Sequence, residues 1–179
     1  NAAVLPVRCD AAEPTHVRRL VALFDVVLTG VWHAAGVLSD ALLPKQTAAT
    51  LARVYGPKAH GAWTLHHASA STPIRSCALF SSVATLLGGA GQANYAAANA
   101  CLDALASRQR AQSQASVSVQ WAAWAEVGMA ARGAASERVA AMAAASGFSQ
   151  IGLSEGLRAL HTAVLPRAPS LLGVVPVQW

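Results

Sequence analysis

Short β-branched runs alternate with helical patterns along this sequence, and that alternation constrains the fold more than any other feature. The strand-like runs are Val4–Arg8, Thr29–His33, Ser76–Ser81, Ser116–Trp121 and Leu171–Val177. Between them, Glu13–Phe24 follows Asp10 and carries apolar residues at Val17, Leu20, Val21 and Phe24, the spacing of an amphipathic helix. Thr47–Tyr55 predicts a helix that Gly56–Pro57 breaks, with helix resuming from Lys58 to about Ser69. Asn94–Ser113 is alanine-rich and is the strongest helical pattern. Ser136–Ser146 stops before Gly147, and Ser154–Val164 starts with an N-cap serine and stops before Pro166. Strands alternating with helices imply an α/β fold, a doubly wound and mostly parallel sheet with helices on both faces. Ligands bind such sheets beyond the carboxyl ends of the strands. The loops after His33, Ser81 and Trp121 are therefore the informative ones.

Composition narrows the classes. With 179 residues, 54% hydrophobic and 12% charged, the chain predicts one packed domain and not a disordered one. The formal net charge of +5 is nearly all arginine, since Lys45 and Lys58 are the only lysines. The small clusters Arg18–Arg19 and Arg108–Arg110 fall in helical patterns and read as solvated faces. No basic run is interleaved with aromatics, so nucleic-acid binding is not expected. Cys9, Cys77 and Cys101 show neither paired nor metal-ligand spacing, which predicts reduced thiols, a cytoplasmic location and no metal site. His66 and His67 are adjacent and do not face one metal from a helix. There is no signal peptide and no uncharged apolar run of bilayer-spanning length, so no membrane partner is expected. Asn1 is not an initiator methionine, and a start just before a strand-like run reads as a piece of a longer chain.

The chemistry concentrates after the third strand-like run. That run ends in Ser81–Ser82, passes through the loop Leu86-Leu87-Gly88-Gly89-Ala90-Gly91, and enters a helix carrying Tyr95 and Asn99. The i, i+4 spacing puts both side chains on one helical face. A serine at a strand's carboxyl end and a tyrosine on the next helix can approach one substrate oxygen. When a carbonyl accepts hydride at carbon, negative charge develops on that oxygen. A tyrosine hydroxyl can protonate it and a serine hydroxyl can hydrogen-bond it. A nearby lysine ammonium would favour the phenolate, and Lys58 is one of only two candidates. The glycine loop lacks a Gly-Lys-Ser/Thr ending, so it is not a P-loop.

Beyond this local pattern, Leu79-Phe80-Ser81-Ser82 and Gly91-Gln92-Ala93-Asn94-Tyr95-Ala96-Ala97-Ala98-Asn99-Ala100 resemble the ketoreductase domain of modular type I polyketide synthases, a branch of the short-chain dehydrogenase/reductase superfamily. Further matches are Cys9-Asp10, the run from His33 to Leu38, the run from Pro57 to Trp63, the run from Trp121 to Met129, and the terminal Trp179. In that family Lys stands 24 residues before Ser, Tyr follows Ser by 13, and Asn follows Tyr by 4; Lys58, Ser82, Tyr95 and Asn99 fit all three intervals. Ordinary short-chain reductases place lysine where this chain has Asn99, which sets the chain with the synthase branch.

The resemblance implies that Tyr95 donates the proton, Ser82 positions the carbonyl, Lys58 supports Tyr95, and Asn99 helps hold the relay. It implies NADPH as cofactor, with Asp10 at the adenine, Ala34, Ala35 and Gly36 lining the cofactor, and Trp121, Ala122 and Ala123 approaching the nicotinamide. Ala122 stands where the family has glycine. The implied substrate is a β-ketoacyl thioester on an acyl carrier protein, and the implied partners are the other domains of a multienzyme synthase. Reductases of the D-hydroxy type carry Leu-Asp-Asp where this chain has Leu38-Ser39-Asp40, and the opposite class has Trp where this chain has Leu87. These markers predict the D-hydroxy product.

The family's first two strands and its Gly-x-Gly-x-x-Gly turn are not in the sequence, so residues 1–179 read as a partial ketoreductase catalytic domain. In the family's sheet order, 3-2-1-4-5-6-7, the two strands would lie between Val4–Arg8 and Thr29–His33. Two other readings stand beside the reductase: a non-catalytic structural segment of a synthase, and a stand-alone carbonyl reductase.

Overall fold

The computed structural model describes residues 4–23, 28–128 and 147–177. Four strands form one parallel sheet in sequential order: β1 (Gly30–His33), β2 (Ser76–Ser82), β3 (Ser116–Trp121) and β4 (Leu171–Val174). Parallel neighbours require crossovers, and helices supply them. Helix α1 (Pro14–Ala22) precedes β1. Helices α2 (Ala48–Tyr55) and α3 (Gly61–Ala68) lie between β1 and β2. The short α4 (Ala84–Leu87) and the long α5 (Ala93–Ala111) lie between β2 and β3, and α6 (Leu153–Ala163) precedes β4. The expected helix at 136–146 lies outside the described residues. Among the described residues no helix is long and apolar enough to cross a membrane.

Strand β3 is buried along its whole length, and its side chains sort by the two-residue period of a strand. Val117, Val119 and Trp121 join Ala78, Ile151 and Ala163 in one core, with Ala159 and Leu160 of α6 packed on it. Ser116, Ser118 and Gln120 instead bond to Gln109 and Asp103 of α5. On that second face, Leu79 packs with Ala62 of α3 and with Leu102, Leu105 and Ala106 of α5. Full burial of a side chain such as Leu102 stabilises the fold by about 1.5–3 kcal/mol. A third cluster of Val54, Ala84, Tyr95 and Ala98 ties α2 and α4 to the start of α5.

The doubly wound expectation holds, and four of its details are corrected. Residues 4–8 form no ladder and are exposed. Their β-branched composition supplies propensity, but among the described residues no neighbouring strand takes their N–H and C=O groups. The last strand stops at Val174, short of Pro176, which has no N–H to donate; beyond it only a single bridge pairs Val177 with Phe148. Ser154 is not the N-cap of its helix. Gly152 holds that position, and the Leu153 N–H donates instead to the Glu126 carboxylate at 3.0 Å, where the helix dipole favours negative charge.

The fourth correction positions the site. Gly56 and Pro57 do not break the helix. The backbone widens into a single π turn over Gly56–His60 and continues into α3. The Gly61 N–H reaches back five residues to the Gly56 carbonyl. A proline inside a helix removes a donor and crowds the preceding turn, and a wider turn relieves both. Lys58 sits inside it.

Candidate active site

The π turn drives the Lys58 side chain inward. Lys58 is 3% exposed, and its Nζ donates to the Phe80 carbonyl of β2 at 2.7 Å. The same Nζ lies 5.4 Å from the centroid of the Tyr95 ring. Burial pulls the Lys58 pKa down to about 8, and the Asp103 charge opposes that fall. The turn is pinned from β1, where His33 Nε2 lies 3.0 Å from the Lys58 carbonyl. A carbonyl only accepts, so Nε2 carries the hydrogen. Burial lowers the His33 pKa, which keeps the ring neutral. Gly36 closes over the lysine stem, since a Cβ at Gly36 would stand 2.7 Å from Lys58 Cε.

Ser82 ends β2, and its hydroxyl accepts from the Ala84 N–H at 3.2 Å. Its carbonyl accepts from the Thr85 hydroxyl at 2.9 Å. Tyr95 and Asn99 lie buried on one face of α5. Asn99 Nδ2 donates to the Tyr95 carbonyl at 2.9 Å. Asn99 Oδ1 is buried with no partner among the described residues. Such an acceptor costs about 1–3 kcal/mol when unpaired and calls for an explanation. Burial pushes the Tyr95 phenol up; the Asn99 and Ser82 side chains counter this, and the Asp40 carboxylate adds to it. The four residues that the family resemblance implies thus converge at the carboxyl end of β2. Lys58 faces the ring of Tyr95 and arrives from a different element.

The other sequence-derived positions spread around this centre. Ala34, Ala35 and Gly36 follow β1, and Trp121, Ala122 and Ala123 begin at the end of β3, so both segments lie at carboxyl ends of the one sheet. The Trp121 ring itself is in the core, between Phe80 and Trp124 at 5.6 and 5.0 Å. Ala34 and Ala35 are exposed, and Ala122 and Ala123 are half-buried. Asp10 is exposed and accepts from the Ala12 N–H at 2.9 Å, a local turn ahead of α1. Leu38 packs on the Tyr95 cluster, and the Ser39 carbonyl accepts from Asn94 Nδ2 at 2.9 Å. Asp40 accepts from Gln92 Nε2 at 3.4 Å. Leu87 ends α4 and is exposed.

Two residues that spacing alone did not single out as site members hold this geometry. Asn94 is buried; its Nδ2 fixes the Ser39 carbonyl while its Oδ1 accepts the Tyr95 N–H at 2.8 Å. The segment after Leu38 is tied a second time where the Ala41 N–H donates to the carbonyl of Gly91, whose φ is +76°. Asp103 is the other, bonded to β3. The available signal was the run Ser116, Ser118, Gln120, polar residues alternating in a strand otherwise apolar enough to be buried.

Comparison with known proteins adds to this geometry. The family model described as KR domain matches residues 1–126. The polyketide synthase GfsA of Streptomyces halstedii is 41% identical over 166 residues, covering 92% of this chain and 2% of that protein. Two solved structures superpose closely. The first ketoreductase of the tylosin PKS gives a TM-score of 0.83 at 37% identity, covering 96% of this chain and 36% of that one. A structure of A-type ketoreductases from a modular polyketide synthase gives 0.88 at 33% identity, covering 97% and 36%. The chain therefore spans about a third of the solved chains and a small fraction of the long synthase.

Proposed function

Since the chain belongs to the ketoreductase (KR) domain family of type I polyketide synthases, within the short-chain dehydrogenase/reductase superfamily, we propose that it forms the proton-transfer part of a β-ketoacyl reductase. The family implies reduction of a β-keto group with a nicotinamide cofactor. The finer reading is that the cofactor is NADPH and that the substrate is a β-ketoacyl thioester on an acyl carrier protein. In that reading the product is the D-hydroxy thioester, and the domain works beside other domains of a synthase. Residues 1–179 are the catalytic portion in this reading. The chain contains no Gly-x-Gly-x-x-Gly turn of the kind that brings backbone N–H groups to a pyrophosphate.

The observation that carries the proposal is the meeting of a buried ammonium with a buried phenol beside a strand-end serine. The residues present fit a nicotinamide cofactor. Ala34 and Ala35 are small and exposed at the end of β1, Ala122 and Ala123 are small and half-buried after β3, and Asn99 Oδ1 is a buried acceptor left to be satisfied. When bound, that cofactor supplies the hydride. The protein's part is the oxygen. Ser82 donates to the carbonyl oxygen as charge develops there, and Tyr95 delivers the proton. Burial raises the Tyr95 pKa, so the hydroxyl is protonated at neutral pH, the state a donor needs. Lys58, with a pKa of about 8, is mostly charged at pH 7, and its place over the ring favours the phenolate that remains.

The test is turnover in the synthase polypeptide, followed by nicotinamide absorbance with a β-ketoacyl thioester. Tyr95→Phe should lower kcat by about 100-fold or more while cofactor binding stays near wild type. Retained turnover in the phenylalanine variant overturns the assignment.

A further inference from the structure

Helix α5 carries a third polar residue in line with Tyr95 and Asn99. Asp103 lies one turn beyond Asn99, on the same buried face, and is 9% exposed. Both carboxylate oxygens are bonded to β3. The Ser118 hydroxyl donates to Oδ1 at 2.6 Å, and Gln120 Nε2 donates to Oδ2 at 2.8 Å. The same Gln120 nitrogen donates its second hydrogen to Thr85 Oγ1 at 2.8 Å. The Thr85 hydroxyl in turn donates to the Ser82 carbonyl at 2.9 Å.

The direction of this chain of bonds is fixed at one end. An ionised carboxylate only accepts, so the Gln120 amide must turn its nitrogen toward Asp103. That choice presents a donor, not an acceptor, to Thr85. Thr85 receives it on oxygen and has its own hydrogen free for Ser82. If Gln120 were flipped, its oxygen would face the Thr85 hydroxyl and draw that hydrogen away from the Ser82 carbonyl. The backbone at Ser82 sets where the Ser82 hydroxyl points.

We propose that Asp103 is a positioning residue of the reductase site, orienting the backbone at Ser82 through Gln120 and Thr85. The inference rests on the reductase reading above. A buried carboxylate on the helix that carries the tyrosine also places negative charge where Lys58 feels it. The groups facing the lysine are then His33 from β1, Tyr95 and Asp103 from α5, and the Phe80 carbonyl from β2.

Two variants in the synthase polypeptide test it. Asp103→Asn keeps the shape, removes the charge and no longer forces the glutamine's orientation. It should lower kcat by about 10- to 100-fold, the range expected of misplaced catalytic groups, and leave KM for the thioester within about twofold. It should also move the alkaline limb of the kcat profile to lower pH, which a purely structural role would not do. Thr85→Val cuts the bond to Ser82 without touching charge; it should lower kcat and leave that limb in place. A folded Asp103→Asn enzyme with wild-type kcat and pH profile overturns the proposal. If Asp103→Asn fails to fold, the threonine variant decides alone, and wild-type kcat in it overturns the proposal. Tyr95→Phe is run in parallel: turnover surviving there means that the reductase reading itself has failed, which neither other variant reports.

Discussion

The ammonium of Lys58 stands 5.4 Å from the centroid of the Tyr95 ring while donating to the Phe80 carbonyl at 2.7 Å. It therefore meets the ring's face and is held by the strand that ends in Ser82. This placement depends on the π turn at Gly56–His60, which points into the sheet a side chain that a regular helix would place elsewhere.

Lys58 should be costly to the fold and necessary for turnover. Its pKa is lowered from 10.5 to about 8 by burial. Below about pH 8 both folded and unfolded states hold the proton, so the fold carries the full cost of the buried charge. Between about 8 and 10.5 the unfolded chain binds the extra proton, and this group's contribution to stability rises with pH. Lys58→Met should then melt at or above the wild-type temperature at pH 7, with the difference shrinking as pH rises from 8 to 10. Thermal melts of both proteins across that range check the sign; a difference that grows with pH contradicts the argument. The same lysine predicts that kcat falls on the alkaline side from about pH 8, and that Lys58→Met loses activity at every pH.

Gly36 should separate stability from activity. A methyl group there would stand 2.7 Å from Lys58 Cε and 3.4 Å from Nζ. The atoms in the way are the end of a flexible side chain, so the lysine can yield without moving backbone. Gly36→Ala should cost less than about 1 kcal/mol in stability yet displace the ammonium from the Tyr95 ring. The expected result is a fall in kcat of about tenfold or more with a near-normal melting curve. A variant as active as wild type would mean that the lysine's position is not limiting.

Asn94 should govern the loop that carries Leu38, Ser39 and Asp40. Its amide bonds the Ser39 carbonyl on one side and the Tyr95 N–H on the other. Asn94→Ala leaves three backbone groups without this partner, the third being the Thr50 carbonyl, a loss of about 1–3 kcal/mol for each that stays buried and unpaired. With the loop untied, KM for the thioester should rise more than kcat falls. Steady-state kinetics at saturating cofactor measure the split, and a change confined to kcat would place the effect at Tyr95 instead.

What the sequence revealed is what local pattern encodes. The parallel strands and the long alanine-rich helix were legible because each rests on short-range periodicity, whereas the grouping of Lys58 with Ser82, Tyr95 and Asn99 came from the family resemblance. Residues 4–8 have strand composition, but a strand also needs a neighbour to bond. Gly56–Pro57 carries the signal of a break, yet the helix runs on through a widened turn. The Glu126 cap on Leu153 joins residues 27 apart, and the Gln120–Thr85 bond joins residues 35 apart. No local pattern specifies such pairs, because the fold that brings them together is set elsewhere.

The D-hydroxy product proposed above can be tested at this loop and at Leu87. Leu38 packs on the Tyr95 cluster, the Ser39 carbonyl is fixed by Asn94, and Asp40 bonds to Gln92 at 3.4 Å, so the loop runs past the entrance to α5. Leu87 ends α4 and is 57% exposed, with room for a larger side chain. In the family resemblance, Leu-Asp-Asp at the first place and Trp at the second go with opposite products. Ser39 replaces one aspartate of the D-type marker but retains the backbone contact to Asn94, and Asp40 retains the charge. The family markers are thus kept in part, and the product proposed above is the D-hydroxy thioester. A hundredfold preference needs only about 2.7 kcal/mol between the two transition states, so single changes can erode it. Asp40→Ala and Leu87→Trp should each raise the fraction of the L isomer, read by chiral chromatography of the released acid. An L-hydroxy product from the unmodified enzyme would show that the loop does not set the face.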